Sequence, residues 1–134
     1  KLTRTFLNNI ENKKIENKSI VMISSIVGNL GFADLSNYAS SKGALEAFAK
    51  SIAVEYSKFK VRVNCVAPGF VETNYAKKFK KNKKKLYNWT LSRIPMGRWG
   101  KPSEISPIIE FLISKNSSYI TGSTFFVDGG WTAA

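Results

Sequence analysis

Ile20-Val21-Met22-Ile23-Ser24-Ser25 sets an unbroken apolar run directly before a pair of hydroxyls. A run without alternation is what a parallel strand covered on both faces requires, because a half-buried strand would alternate apolar with polar residues. Upstream, Leu2, Phe6 and Ile10 recur every four residues, the period of one face of a short helix, before a polar stretch from Glu11 to Lys18. Downstream, a loop over 24–36 leads to Leu45, Phe48, Ile52 and Tyr56 at steps of three and four. That stripe predicts a long helix over 37–57, capped by Ser36 or Asn37. Val61, Val63 and Cys65 alternate in a short strand that Pro68-Gly69 stops. Ile105, Ile108, Ile109, Leu112 and Ile113 predict another amphipathic helix, in which Pro107 removes a backbone bond and is expected to kink the first turn. Thr124-Phe125-Phe126-Val127 reads as a last strand, closed by Asp128-Gly129-Gly130. Strands joined by helical crossovers predict an α/β class, a doubly wound parallel sheet with helices on both faces.

Composition narrows the functional classes. The 134 residues are 43% hydrophobic and 13% aromatic, enough for a packed core and unlike a disordered tail. No apolar run is long enough to span a bilayer, so no membrane partner is expected. The first residues lack the apolar stretch of a secretory signal, and the single cysteine, Cys65, has no intrachain partner. Together these predict a reducing, cytoplasmic setting with the thiol as core filling. With no histidine, Ser-His-Asp hydrolysis, Cys-His chemistry and His-containing zinc sites are out. Glu46, Glu55, Glu72, Glu104, Glu110 and Asp128 are scattered without metal-ligand spacing. No metal site is expected, and most of these carboxylates are expected to be solvated surface groups. The formal net charge is +12, of which seven lysines fall between Tyr75 and Lys85. That segment, about 74–97, reads as a basic lid. Its charge suits a solvated helix face first, steering of an anionic substrate next, and a nucleic-acid surface only last.

Tyr38 and Lys42 lie four positions apart, so on a helix they share a face and an ammonium sits beside a phenol. A neighbouring positive charge favours the phenolate, which makes the phenol a better proton donor for acid–base work. Ser25 lies thirteen positions before Tyr38, with Ser24 beside it. Four stretches then occur in order: Ser24-Ser25-Ile26-Val27-Gly28, Asn37-Tyr38-Ala39-Ser40-Ser41-Lys42-Gly43-Ala44, Asn64-Cys65-Val66-Ala67-Pro68-Gly69-Phe70-Val71-Glu72-Thr73 and Val127-Asp128-Gly129-Gly130. In order and spacing they resemble the short-chain dehydrogenase/reductase family, above all members similar to beta-ketoacyl-carrier-protein reductases and sugar-alcohol dehydrogenases. The resemblance runs from about residue 19 to the C-terminus.

The resemblance implies an NAD(P)-dependent oxidoreductase that interconverts an alcohol and a ketone by hydride transfer. It makes Ser25, Tyr38 and Lys42 the catalytic residues, with Tyr38 the proton donor, Lys42 tuning it and binding the nicotinamide ribose, and Ser25 polarising the substrate oxygen. It assigns cofactor contacts to Tyr38, Lys42, Pro68, Gly69, Val71 and Thr73, with the glycine expected to let the backbone approach a flat ring. NAD and NADP both remain open. The implied partners are a small carbonyl or alcohol substrate, which the lid lysines suit to an anion, and further copies of the parent protein in a dimer or tetramer. A dinucleotide fold of this class opens with a Gly-rich turn that receives the pyrophosphate, and none of the nine glycines builds it. The expectation is therefore a single partial domain over 1–134, the C-terminal, catalytic and nicotinamide-side half of a Rossmann-like enzyme whose N-terminal, adenosine-binding half is missing. The alternative is an inactive truncated fragment, or a non-enzymatic binding module that keeps the half-site.

Overall fold

The computed structural model describes residues 2–10 and 17–134, so the polar stretch expected over Glu11 to Lys18 lies, as far as Glu16, outside the described residues. Strands β1 (Lys18–Ile23), β2 (Val61–Pro68) and β3 (Thr124–Val127) form a parallel sheet in the order β1-β2-β3. Helices α1 (Leu2–Ile10), α2 (Ser36–Tyr56), α3 (Asn74–Asn82), α4 (Lys84–Arg93) and α5 (Pro102–Ile113) complete the α/β layers. The class and the parallel pairing agree with the sequence pattern.

The cover on both faces expected of 20–23 is present, with Ile20 and Met22 on the α1–α2 side and Val21 on the α5 side, but burial is complete only in β2. Every residue from Val61 to Ala67 is buried. On one face Val61, Val63 and Cys65 pack with Ala49, Ile52 and Ala53 of α2 and with Leu7 and Ile10 of α1. On the other, Val66 packs with Ile105 and Leu112 of α5. β1 pairs only with β2 among the described residues, and its last residue, Ile23, is 44% exposed. Its apolar run is that of a strand with one open edge.

One buried face and two helix starts differ from the sequence pattern for local reasons. In α1 the buried face is Leu7 and Ile10, while Phe6 stays exposed. Helix α2 starts at Ser36 with Leu35 as its N-cap and no side-chain cap bond, so neither Ser36 nor Asn37 caps it; the Ala39 N–H bonds the Leu35 carbonyl instead. Helix α5 starts at Pro102, earlier than its apolar stripe, because proline suits the first helical position. It remains one helix through Pro107.

Arg62 is one of two buried polar residues, with Asn64, on the α5-facing side of β2. Its guanidinium donates to the carbonyls of Leu112 (2.8 Å), Ser117 (2.9 Å) and Ser114 (3.0 Å), to Ser117 Oγ (2.6 Å) and to Asn17 Oδ1 (3.0 Å). These include carbonyls that the end of α5 leaves without helical partners. Burial lowers the guanidinium's pKa from its ordinary value. Arg62→Ala is expected to lose about 3 kcal/mol in urea denaturation, because five hydrogen bonds from one buried cation go together and the carbonyls it served keep only neutral donors. Arg62→Lys should recover less than half of that, since an ammonium lacks the planar fork.

At the other end of α5, Glu104 accepts both Arg98 nitrogens (2.7 and 2.8 Å) and the Lys101 backbone N–H (2.8 Å). The Arg98 hydrogen bonds first, and the Lys101 amide second, hold this exposed carboxyl down to about 2. A carboxyl held low in the folded state contributes fully above its ordinary value of 4.5 and loses that contribution as the pH falls through about 2. Carbon-13 NMR of the Glu104 carboxyl should give a midpoint near pH 2. Arg98→Gln should move the midpoint towards 4.5.

Candidate active site

Tyr38, Lys42 and Glu46 follow one another at four-residue steps on α2, so one helical face runs from solvent into the core. Tyr38 is 45% exposed and Glu46 is 5% exposed. Between them, Lys42 Nζ donates to the Ile23 carbonyl at 2.9 Å and lies 5.6 Å from the centroid of the Tyr38 ring. The ammonium thus joins the phenol to the C-terminal end of β1.

Ser24 continues the ladder past that end, its N–H donating to the Val66 carbonyl at 2.7 Å. Ser25, extended at φ −163° and ψ 154°, caps a single 3-10 turn over Ile26–Gly28, and its Oγ accepts the Val27 N–H at 3.3 Å. The turn sits directly on α2. A Cβ at Gly28 would lie 3.0 Å from Glu46 Oε1 and 3.1 Å from the Gly43 nitrogen and the Lys42 carbonyl carbon. A Cβ at Gly43 would lie 3.2 Å from the Gly28 oxygen. Two glycines facing each other therefore allow the Ser25 segment to rest on the helix of Tyr38 and Lys42.

Pro68 and Gly69 end β2, and the Gly69 N–H donates to the Val127 carbonyl at 3.0 Å. A Cβ at Gly69 would come within 2.8 Å of the Asp128 Cα. Glycine is thus already demanded there by the end of β3, before any ligand ring is considered. Asp128 accepts the N–H groups of Gly130 and Thr132 and the Thr132 hydroxyl. Burial pushes its carboxyl up, but the Thr132 hydroxyl and these amides outweigh that and hold it below the ordinary value. Val71 bridges to Gly100 in parallel fashion, and Thr73 caps α3 without a side-chain cap bond. Phe70 shares an apolar cluster with Ile26, Val27 and Ala39, which ties this strap to the Ser25 turn and the first turn of α2. Thr73 lines an open cleft of about 550 Å³ together with Lys77 and Lys80.

Each assigned residue thus sits beyond the C-terminal end of β1 or β2, or on α2 beside those ends. Open α/β sheets bind ligands along that edge. The structure brings Ser25, Tyr38 and Lys42 onto adjoining elements and leaves Val71 and Thr73 on the strap that leads to α3. Glu46 is the buried residue beside these elements that sequence reasoning missed. Far from being a solvated surface group, it accepts bonds from Ser24 and Asn29 in the interior. Its place one turn beyond Lys42, within the apolar stripe, was the available signal. Cys65 is core filling as expected, its thiol pushed up to about 11 by burial and then by Glu46. Among the described residues no three His, Cys, Asp or Glu side chains converge as a metal site, and no helix is long and apolar enough to cross a membrane.

A profile for the family described as Enoyl-(Acyl carrier protein) reductase matches residues 2–132. The chain belongs to the short-chain dehydrogenase/reductase family. It is 45% identical over 117 residues to the 3-oxoacyl-[acyl-carrier-protein] reductase of Thermotoga maritima, covering 87% of this chain and 46% of that one. Among solved structures, 4-hydroxyisoleucine dehydrogenase complexed with NADH superposes with a TM-score of 0.92 at 36% identity, covering 99% of this chain and 54% of that one. A putative 2-deoxy-D-gluconate 3-dehydrogenase from Agrobacterium tumefaciens with bound NADP gives 0.92 at 30% identity, covering 98% and 53%. The chain spans about half the length of the curated relatives it matches.

The Gly28 contact with α2 is directly testable. Gly28→Ala is expected to destabilise by about 1–3 kcal/mol in urea denaturation, because backbone atoms cannot yield as a flexible side chain would. Gly31→Ala meets nothing within 4 Å and should be neutral or slightly stabilising.

Proposed function

We propose that the polypeptide carrying these residues is an NAD(P)-dependent oxidoreductase that reduces a ketone, or oxidises the corresponding alcohol, at the Ser25–Tyr38–Lys42 face. The observation that carries the reading is the Lys42 ammonium, held on the Ile23 carbonyl at 2.9 Å and poised 5.6 Å from the Tyr38 ring, one residue before the Ser24-Ser25 pair. The two ligand-bound relatives described above hold NADH and NADP.

The residues suit the nicotinamide end of such a cofactor. Lys42 offers a cation beside exposed Tyr38, and the Pro68–Thr73 strap ends in an exposed hydroxyl without a capping bond. The open edge of β1 is where the strands of a nucleotide-binding half would continue the sheet. A nicotinamide, when bound, supplies or accepts the hydride. The Tyr38 hydroxyl gives its proton to the carbonyl oxygen during reduction and takes it back during oxidation. Ser25 donates a hydrogen bond to the same oxygen as negative charge develops on it. Lys42 keeps its ammonium beside the Tyr38 ring and offers its remaining N–H groups to ribose hydroxyls. Lys77 and Lys80, on the cleft with Thr73, suit a substrate that carries negative charge away from the carbonyl.

Turnover followed by nicotinamide absorbance tests this. Tyr38→Phe should lower kcat by about 10²–10⁴-fold, the range for a lost acid–base group. Ser25→Ala should lower it by about 10²–10³-fold with little change in cofactor KM, and Lys42→Met should impair both constants. Full activity in Tyr38→Phe would sink the mechanism, and absence of turnover in the unaltered protein would favour a non-enzymatic half-site.

A further inference from the structure

Glu46 sits one helical turn beyond Lys42 with its carboxylate inside the protein. It accepts the Ser24 hydroxyl at 2.6 Å, the Asn29 side-chain amide at 2.7 Å and the Thr124 hydroxyl at 3.4 Å. Ser24 immediately precedes Ser25, and Asn29 immediately follows Gly28, with its backbone N–H closing the turn on the Ile26 carbonyl at 3.1 Å. One carboxylate therefore ties down both ends of the turn that carries Ser25, from the helix that carries Tyr38 and Lys42. Hydrogen bonds to a carboxylate are shorter and stronger than those between neutral groups. Moving the turn would break the two short ones and leave the buried carboxylate only the Thr124 hydroxyl at 3.4 Å.

We propose that Glu46 is a positioning residue, which sets the Ser25 hydroxyl against the Tyr38–Lys42 face by holding Ser24 and Asn29. The inference rests on the oxidoreductase reading given above. Glu46 acts through the Ser25 turn, so its loss falls on polarisation of the substrate oxygen rather than on nicotinamide binding. A glutamine can keep the arrangement: its oxygen accepts Ser24, and its amide can donate to a rotated Asn29. A leucine fills the volume but accepts nothing.

The test pairs a kinetic cycle with a measurement that needs no turnover. Glu46→Leu should lower kcat by about 10–100-fold, the scale of a small misplacement at a reacting centre, with nicotinamide KM unchanged within about two-fold, and Glu46→Gln should restore most of the rate. In a Ser25→Ala background Glu46→Leu should cost less than about two-fold, since residues that act through one group are not additive. Equal losses in both backgrounds, a parallel rise in nicotinamide KM or failure of glutamine to rescue would overturn the assignment. In the 134-residue chain itself, Glu46→Leu should speed amide hydrogen exchange at Gly28 and Asn29 by about ten-fold or more while β2 amides stay protected. Unchanged exchange there overturns the positioning role whatever the kinetics, whereas a wild-type protein without turnover but with accelerated exchange in the variant overturns the oxidoreductase reading and leaves Glu46 as the clamp of this turn.

Discussion

The contact between the Ile26–Gly28 turn and α2 is backbone against backbone, and the candidate site depends on it. A glycine inside a helix costs about 1 kcal/mol relative to alanine. Gly43 bears that cost within α2 because any Cβ there would press on the Gly28 oxygen at 3.2 Å. Close approach through small residues makes the spacing insensitive to rotamers. It also brings the last carbonyl of β1 within reach of a lysine on the facing helix, so Lys42 can be anchored without losing its place beside Tyr38.

The second constraint is the sidedness of β2. Its odd-numbered residues from Val61 to Cys65 meet α1 and α2, while Arg62, Asn64 and Val66 face the α5 side. The polar pair there acts as a bracket. Asn64 donates to the Ile120 carbonyl and accepts the Ser123 N–H, and Arg62 gathers the end of α5 and the Ser117 segment. The chain is thus placed before β3 begins. A strand as short as Thr124–Val127 then delivers Asp128 against Gly69, at the edge where the site lies.

The parallel α/β class, the three strands and the Tyr38–Lys42 face were legible because each rests on local periodicity or fixed helical spacing. Which strand is central was not. Ile20-Val21-Met22-Ile23 carries the stronger apolar run, yet β2 is the more deeply buried strand, and Arg62 and Asn64 are buried there with their hydrogen bonds satisfied by segments remote in sequence. A polar residue in a strand reads as solvent-facing unless its distant partner is known. Glu46 was hidden for the same reason, since Ser24, Asn29 and Thr124 reach it from other elements. Phe6, by contrast, was misplaced by a choice of register, Leu7 and Ile10 forming the buried pair. The four ordered motifs carried the family.

The lysine-rich α3–α4 segment shows how little its charge has to do with its order. Lysines along α3 and α4 repel one another only weakly, because exposed charges are screened within about 8 Å at physiological ionic strength. What seats these helices is aromatic packing. Trp99 contacts Phe70, Phe79 and Tyr87 at centroid distances of 5.1–5.5 Å, and its indole N–H donates to Thr90 Oγ1 at 2.8 Å. Trp131 meets Phe32, Phe70 and Trp89 and lies under the Arg93 guanidinium. Phe32 belongs to the loop that joins the Ser25 turn to α2, so the C-terminal tryptophan connects this segment to the loop behind the site. The lysines stay exposed, Lys80 lying over the Tyr87 ring, while the aromatic residues hold the two helices in place.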